Sequence, residues 1–126
     1  DIRINNGELK IKNIADNIRG GKRVDVIVET NNKLFNIELN ACSRQGLDIR
    51  NSLYALQILV DQSYQVKDYN KIKKVIQINL NNFRCNKVKT IADYMMREKD
   101  TNDIIWEHLR IVNVDMELIN KSCYNI

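Results

Sequence analysis

Proline is absent from the 126 residues and glycine occurs four times. Nothing therefore marks an internal linker, and low-complexity or collagen-like structure is excluded. No apolar run approaches the roughly 20 residues that a membrane span needs. Three cysteines, Cys42, Cys85 and Cys123, stand far apart with no CxxC pair, and His108 is the single histidine. That excludes a zinc knuckle and disfavours a disulfide framework; buried, reduced thiols in a reducing, cytoplasmic setting are the expectation. A glycine-rich phosphate loop and a helix-turn-helix signature are both missing. His108 has no Asp, Ser or Cys at a spacing that would make it a general base. The chain opens on Asp1 without a basic segment followed by an apolar stretch, and it reads as an excised, N-terminally incomplete domain.

What is present suits one domain over 1–126, with 44% apolar residues to close a core around one sheet. The net charge of +4 permits a polyanion partner. It does not demand one, because acidic and basic residues share the same segments. Eighteen Asn, eighteen Ile and twelve Lys point to a compositional bias that inflates the basic count. Residues 1–19, with Ile2 and Ile4, a turn at Asn5-Asn6-Gly7, then Leu9, Ile11, Ile14 and Ile18, fit either an irregular strand or a short helix. Gly20-Gly21 then breaks the chain.

The clearest signal follows. The runs 23–30 and 33–40 are rich in β-branched and apolar residues and are separated by Asn31-Asn32, a pair tolerant of positive φ; they predict a β-hairpin. Alternation puts Val24, Val26 and Val28 on one side of the first strand and Asp25 with Ile27 on the other. If Asn31 and Asn32 are the whole loop, Thr30 pairs with Lys33 and Asp25 with Glu38. Two carboxylates facing across a ladder cost about 0.2 to 1 kcal/mol on an exposed face and more when half buried. A divalent cation removes that cost. Asp25, Glu38 and a backbone carbonyl such as that of Leu39 are hard oxygen donors suited to magnesium or manganese, and a bound ion of that kind supports phosphodiester hydrolysis. The competing reading pairs Asp25 with Arg23 or Lys22 and leaves Glu38 on a solvated face.

Ser43 is the expected N-cap of a helix running to about residue 65. Ile49, Leu53, Leu56 and Val60 supply its buried stripe. Arg50, Tyr54, Gln57 and Asp61 form a polar ridge beside that stripe, placed to line a site. A turn at Asp68-Tyr69-Asn70 precedes a third strand, Val75–Leu80, reached by a right-handed crossover if parallel. Segments 91–98 and 108–114 suit a further strand pair with 100–103 as its loop, and 116–121 a short helix. Lys71, Lys73 and Lys74 read as a solvated run, Trp106 as a half-buried packing residue, and Phe83, Met95 and Met96 as core.

The order of these pieces resembles the PD-(D/E)XK nuclease superfamily, and more closely its transposase-like family related to recombination-promoting nucleases. The carriers are the strand with Asp25, the run Asn36-Ile37-Glu38-Leu39-Asn40, Arg50 four residues before Tyr54, Gln62, the segment Val66–Tyr69, and the strand from Val75 to Phe83. The trailing segments 95–100 and 109–114 resemble the family's last hairpin. The resemblance implies an α/β fold with a restriction-endonuclease-like mixed sheet, and a magnesium- or manganese-dependent DNA endonuclease of mobile-element type. It implies that Asp25 and Glu38 hold the metal, that Asn40 orients the attacking water, and that Arg50 and Tyr54, with Gln57 beside them, brace the site or touch DNA. A helix-to-sheet anchor is the alternative role for Arg50 and Tyr54. A homodimer suits cleavage of both strands.

Three features depart from the pattern. Asn40 stands where the family carries Lys or Gln, Val66 stands where it carries a turn glycine, and its N-terminal helix has no counterpart ahead of Asp1. The rival functions are a catalytically inactive module that binds DNA or a protein partner, and an RNase.

Overall fold

A computed structural model of the protein describes residues 26–122 throughout, and the backbone alone at 3–4, 7–8, 10–14, 25 and 123–124. The turn at Asn5-Asn6, the Gly20-Gly21 break, the partners Lys22 and Arg23, and the Cys123 side chain lie outside the described residues.

Residues left open between strand and helix include three strands, β1 (Arg3–Ile4), β2 (Gly7–Glu8) and β3 (Lys10–Ile14). The first two pair antiparallel with each other, and β3 pairs with the next strand across a bulge between Ile11 and Asn13. That next strand is β4 (Asp25–Glu29), which turns through Asn31 and Asn32 into β5 (Lys33–Asn40). Helix α1 (Leu47–Ser63) and a single 3-10 turn at Tyr69–Lys71 lead to β6 (Lys74–Asn81). Strands β7 (Ile91–Met95) and β8 (Leu109–Asp115) and helix α2 (Met116–Tyr124) complete the chain. The main sheet has six strands in the order β3-β4-β5-β6-β8-β7. Strands β5, β6 and β8 are mutually parallel and the outer pairs antiparallel. This mixed α/β sheet, with α1 as the crossover between β5 and β6, is the restriction-endonuclease-like architecture expected.

Helix α1 lies on one face of the sheet, against β6 and β8. Its N-cap is Gly46, at φ 78° and without a side-chain cap, rather than Ser43. The left-handed backbone turn there explains a glycine, and Asp48 in the first turn complements the helix dipole. The buried stripe also differs from the sequence reading. Ile49 is 68% exposed, and Leu53, Leu56 and Val60 are exposed as well, while Leu47, Asn51 and Ala55 are buried. Two residues along a helix is about 200° of rotation, so the helix turns nearly its opposite face inward. The small side chain of Ala55 lets the helix approach the sheet closely. Ala55 packs in a cluster with Leu34 and Val75, flanked by Ile27, Ile58, Leu59 and Leu109.

The helix is held at its far end by Gln62, whose side chain brackets Lys73 by accepting from its N–H (2.7 Å) and donating to its carbonyl (3.1 Å). Asp68 caps the 3-10 turn by accepting the Asn70 N–H. Lys73 reaches Glu29 (2.8 Å) and the Thr30 carbonyl (2.9 Å), and Lys74 pairs with Glu107. Trp106 is half buried, as read from sequence. Met96 is exposed rather than core, and Phe83 and Met95 are half buried. Cys42 is exposed and Cys85 half buried, both free, because each sits in a loop rather than on an inward strand position.

Candidate active site

Three neighbouring strands carry the same two-residue alternation. Asn36, Glu38 and Asn40 on β5, Gln77, Asn79 and Asn81 on β6, and Asn113 and Asp115 on β8 alternate with aliphatic or aromatic residues. The parallel register aligns them in rows: Asn36 with Gln77, then Glu38 with Asn79 and Asn113, then Asn40 with Asn81 and Asp115. All eight side chains are buried. The opposite face, with Phe35, Ile37, Ile78, Leu80, Val112 and Val114, is only half buried. Burying so many amides is tolerable because the ladder holds them side by side, where each can serve another.

The hairpin sets the acidic pair. The Thr30 N–H donates to the Lys33 carbonyl (2.9 Å), which makes these two a hydrogen-bonded pair. The register runs from Glu29 opposite Leu34 to Asp25 opposite Glu38. Antiparallel pairs alternate between wide and close, so Asp25 and Glu38 form a close pair in the backbone register, with Cα atoms about 4.5 Å apart. Glu38 is 3% exposed, and Gln77 Nε2 donates to its Oε2 at 3.4 Å.

Leu39 contributes through its backbone. Its side chain is 62% exposed on the other face. The Asn40 carbonyl accepts from Asn82 N–H on the β6 side (2.9 Å). Successive carbonyls alternate along a strand, so that of Leu39 is directed to the β4 side, where Asp25 stands. Asp25, Glu38 and the Leu39 carbonyl offer oxygen donors only, a chemistry that fits magnesium or manganese better than zinc. Among the described residues no group of three or more His, Cys, Asp or Glu side chains comes together.

The remaining residues singled out from sequence divide into two sets. Asn40 lies in the buried row, donating from Nδ2 to Asn81 Oδ1 (2.9 Å). Arg50 and Tyr54 are half buried on the flank of α1 and joined to each other, with Arg50 Nε donating to the Tyr54 hydroxyl (2.9 Å) and the guanidinium 5.5 Å from the ring centre. Gln57 is exposed and donates to Asp61 Oδ1 (2.7 Å), so this end of the ridge is occupied with itself.

Sequence reading missed the clamp at the end of β8. Asp115 is fully buried and accepts from the N–H groups of Leu118 (2.8 Å), Cys85 (2.9 Å) and Asn86 (3.1 Å) and from Arg84 Nε (3.1 Å). Burial alone would raise its carboxyl; these donors outweigh that effect and hold it at about 2. One carboxylate thus starts α2 and fastens the loop after β6. Arg84 also donates to the carbonyls of Asn86 and Lys87. Beside this loop a cleft of about 440 Å³ opens at the carboxyl end of the parallel strands, walled by Arg44, Leu47, Phe83 and Arg84. Ligands of α/β sheets favour that end. Cys85 lies there too, but burial pushes its thiol up, away from thiolate chemistry. The missed signal is the alternation of polar residues in three strands whose intervening residues are apolar.

A family model described as PD-(D/E)XK nuclease family transposase matches residues 1–125. No curated protein and no solved structure matches the chain. No helix among the described residues is long and apolar enough to cross a membrane.

Proposed function

The chain belongs to the PD-(D/E)XK nuclease transposase family, and from that premise we propose that it is a metal-dependent DNA endonuclease acting by phosphodiester hydrolysis. The observation that carries the reading is the close pairing of Asp25 with a buried Glu38. Asp25, Glu38 and the Leu39 carbonyl would hold magnesium or manganese. Such an ion supplies a water of lowered pKa and polarises a phosphoryl oxygen when bound.

The chain's own groups supply the rest. Gln77 donates from Nε2 to Glu38 Oε2 and so helps to fix the orientation of that side chain. Asn40 presents an amide at the position after Leu39; it can orient an attacking water by hydrogen bonding, but a neutral amide cannot take the water's proton. Arg50, aligned by its bond to Tyr54, is suited to neutralise a phosphate oxygen or to brace the strand beneath it. Gln57, bound to Asp61 on the exposed surface, contributes at most a contact to DNA.

The experiment is plasmid nicking in the presence of magnesium or manganese with Asp25→Ala and Glu38→Ala as controls. Cutting lost in both variants supports the reading, and cutting retained in both overturns it. One observation favours a second reading, a catalytically inactive module that binds DNA: the Asn40 side chain is shorter than Gln or Lys and its N–H is engaged by Asn81. For that module, salt-sensitive DNA binding without turnover is the expected result.

A further inference from the structure

A chain of side-chain amides crosses the buried face. Asn36 Nδ2 donates to Gln77 Oε1 (2.7 Å), Gln77 Nε2 to Asn79 Oδ1 (2.9 Å), and Asn79 Nδ2 to Asn113 Oδ1 (2.8 Å). An amide chain can in principle run in either direction. Here Glu38 decides, because a carboxylate only accepts and Gln77 must turn its N–H to it. Gln77 then accepts only through Oε1, which commits the Asn36 N–H to β6. Every link points its donor toward β8, so the dipoles add and the carbonyl at the head of the chain becomes the more negative.

That head, Asn36 Oδ1, is buried and has no hydrogen-bond partner. Asn36 stands two residues before Glu38 on the same inward face of β5, beside β4 and one row from Asp25. A buried acceptor without a donor keeps the cost of its lost hydration uncompensated, so it calls for a positive or donating occupant. Asn51 on the inner face of α1 is buried with both its amide atoms also unpartnered.

We infer that Asn36 Oδ1 is a further oxygen directed at the cation held by Asp25 and Glu38. The inference rests on the metal-dependent reading above and adds to it a ligand, in place of the histidine, cysteine or third carboxylate that this site lacks among its described residues.

The test is binding, not cleavage. Manganese is titrated calorimetrically into the wild-type chain and into Asn36→Leu, Asn36→Asp and Glu38→Gln, and magnesium is titrated while the Asn36 side-chain amide signals are followed by NMR. Expected are a Kd about 10-fold weaker in Asn36→Leu, wild-type or tighter affinity in Asn36→Asp, and a saturable shift of the Asn36 amide. The wild-type NMR titration needs no substitution, so it stands even if Asn36→Leu fails to fold. Metal binding that is lost in Glu38→Gln but unchanged in both Asn36 variants, with unmoved Asn36 signals, overturns the inference and leaves the active-site reading intact. Absence of binding by the wild-type chain overturns both.

Discussion

The two ends of the sheet's inner face are built from the same three parallel strands, yet they have opposite character. At the amino end, Leu34, Val75 and Leu109 meet Ala55, Ile58 and Leu59 in an apolar cluster. At the carboxyl end the same strands bury Glu38, Asn40, Asn79, Asn81, Asn113 and Asp115. Within two or three residues the layer under α1 changes from hydrocarbon to amide and carboxylate. The apolar end gains stability from area removed from water. The polar end gains little that way and is held by directed bonds whose loss leaves groups unsatisfied. One end of the domain is thus built for cohesion, and the other is built from directed polar bonds.

The sharpest way to break that division is Glu38→Ala. Nicking of plasmid DNA should fall by more than the roughly 100-fold that loss of an outer partner of a metal site can cost, while the urea midpoint stays near wild type. A collapse of the fold instead would assign Glu38 to cohesion. Asp115→Ala, at the same end, should destabilise by about 3 to 5 kcal/mol in urea unfolding, because Arg84 and three backbone donors lose their acceptor at once. Leu34→Ala at the apolar end should cost about 2 to 5 kcal/mol and leave metal binding by the folded protein unchanged.

A pH titration separates the ends more gently. The Asp115 carboxyl is held at about 2 in the fold against an ordinary 3.8, so the folded state binds fewer protons than the unfolded chain between those values. Its contribution is complete above pH 3.8 and drains away as pH falls toward 2. Denaturant midpoints across that window should drop less in Asp115→Asn than in wild type. The smallest effect belongs to the outer face of α1: Ile49→Ser should change stability by less than about 0.5 kcal/mol. A cost of several kcal/mol would restore the stripe that the sequence pattern proposes.

Much of the frame is legible without coordinates because it is local. The Asn31-Asn32 turn between two β-rich runs fixes the hairpin and, with it, Asp25 opposite Glu38. The crossover strand at Val75–Leu80, the Asp68 turn and the last strand pair follow from equally local signals. Helix α1 was readable as a helix, but its inward face was not. Aliphatic spacing favours Ile49, Leu53, Leu56 and Val60, yet these are exposed, since the sheet beneath selects Ala55 for close approach. The alternating asparagines would ordinarily be assigned to the solvent side of their strands. They are buried because the register lines them up across β5, β6 and β8, where they satisfy one another.

The order of strands and helices, the hairpin register and the acidic pair were determined by the amino-acid sequence, since turn chemistry and two-residue alternation act over a few neighbours. Which face of each element turns inward was decided only in three dimensions. Burial of an amide or an aliphatic side depends on partners 30 or 40 positions away, such as Asn36 with Gln77 and Asn79 with Asn113, and no local pattern carries that information.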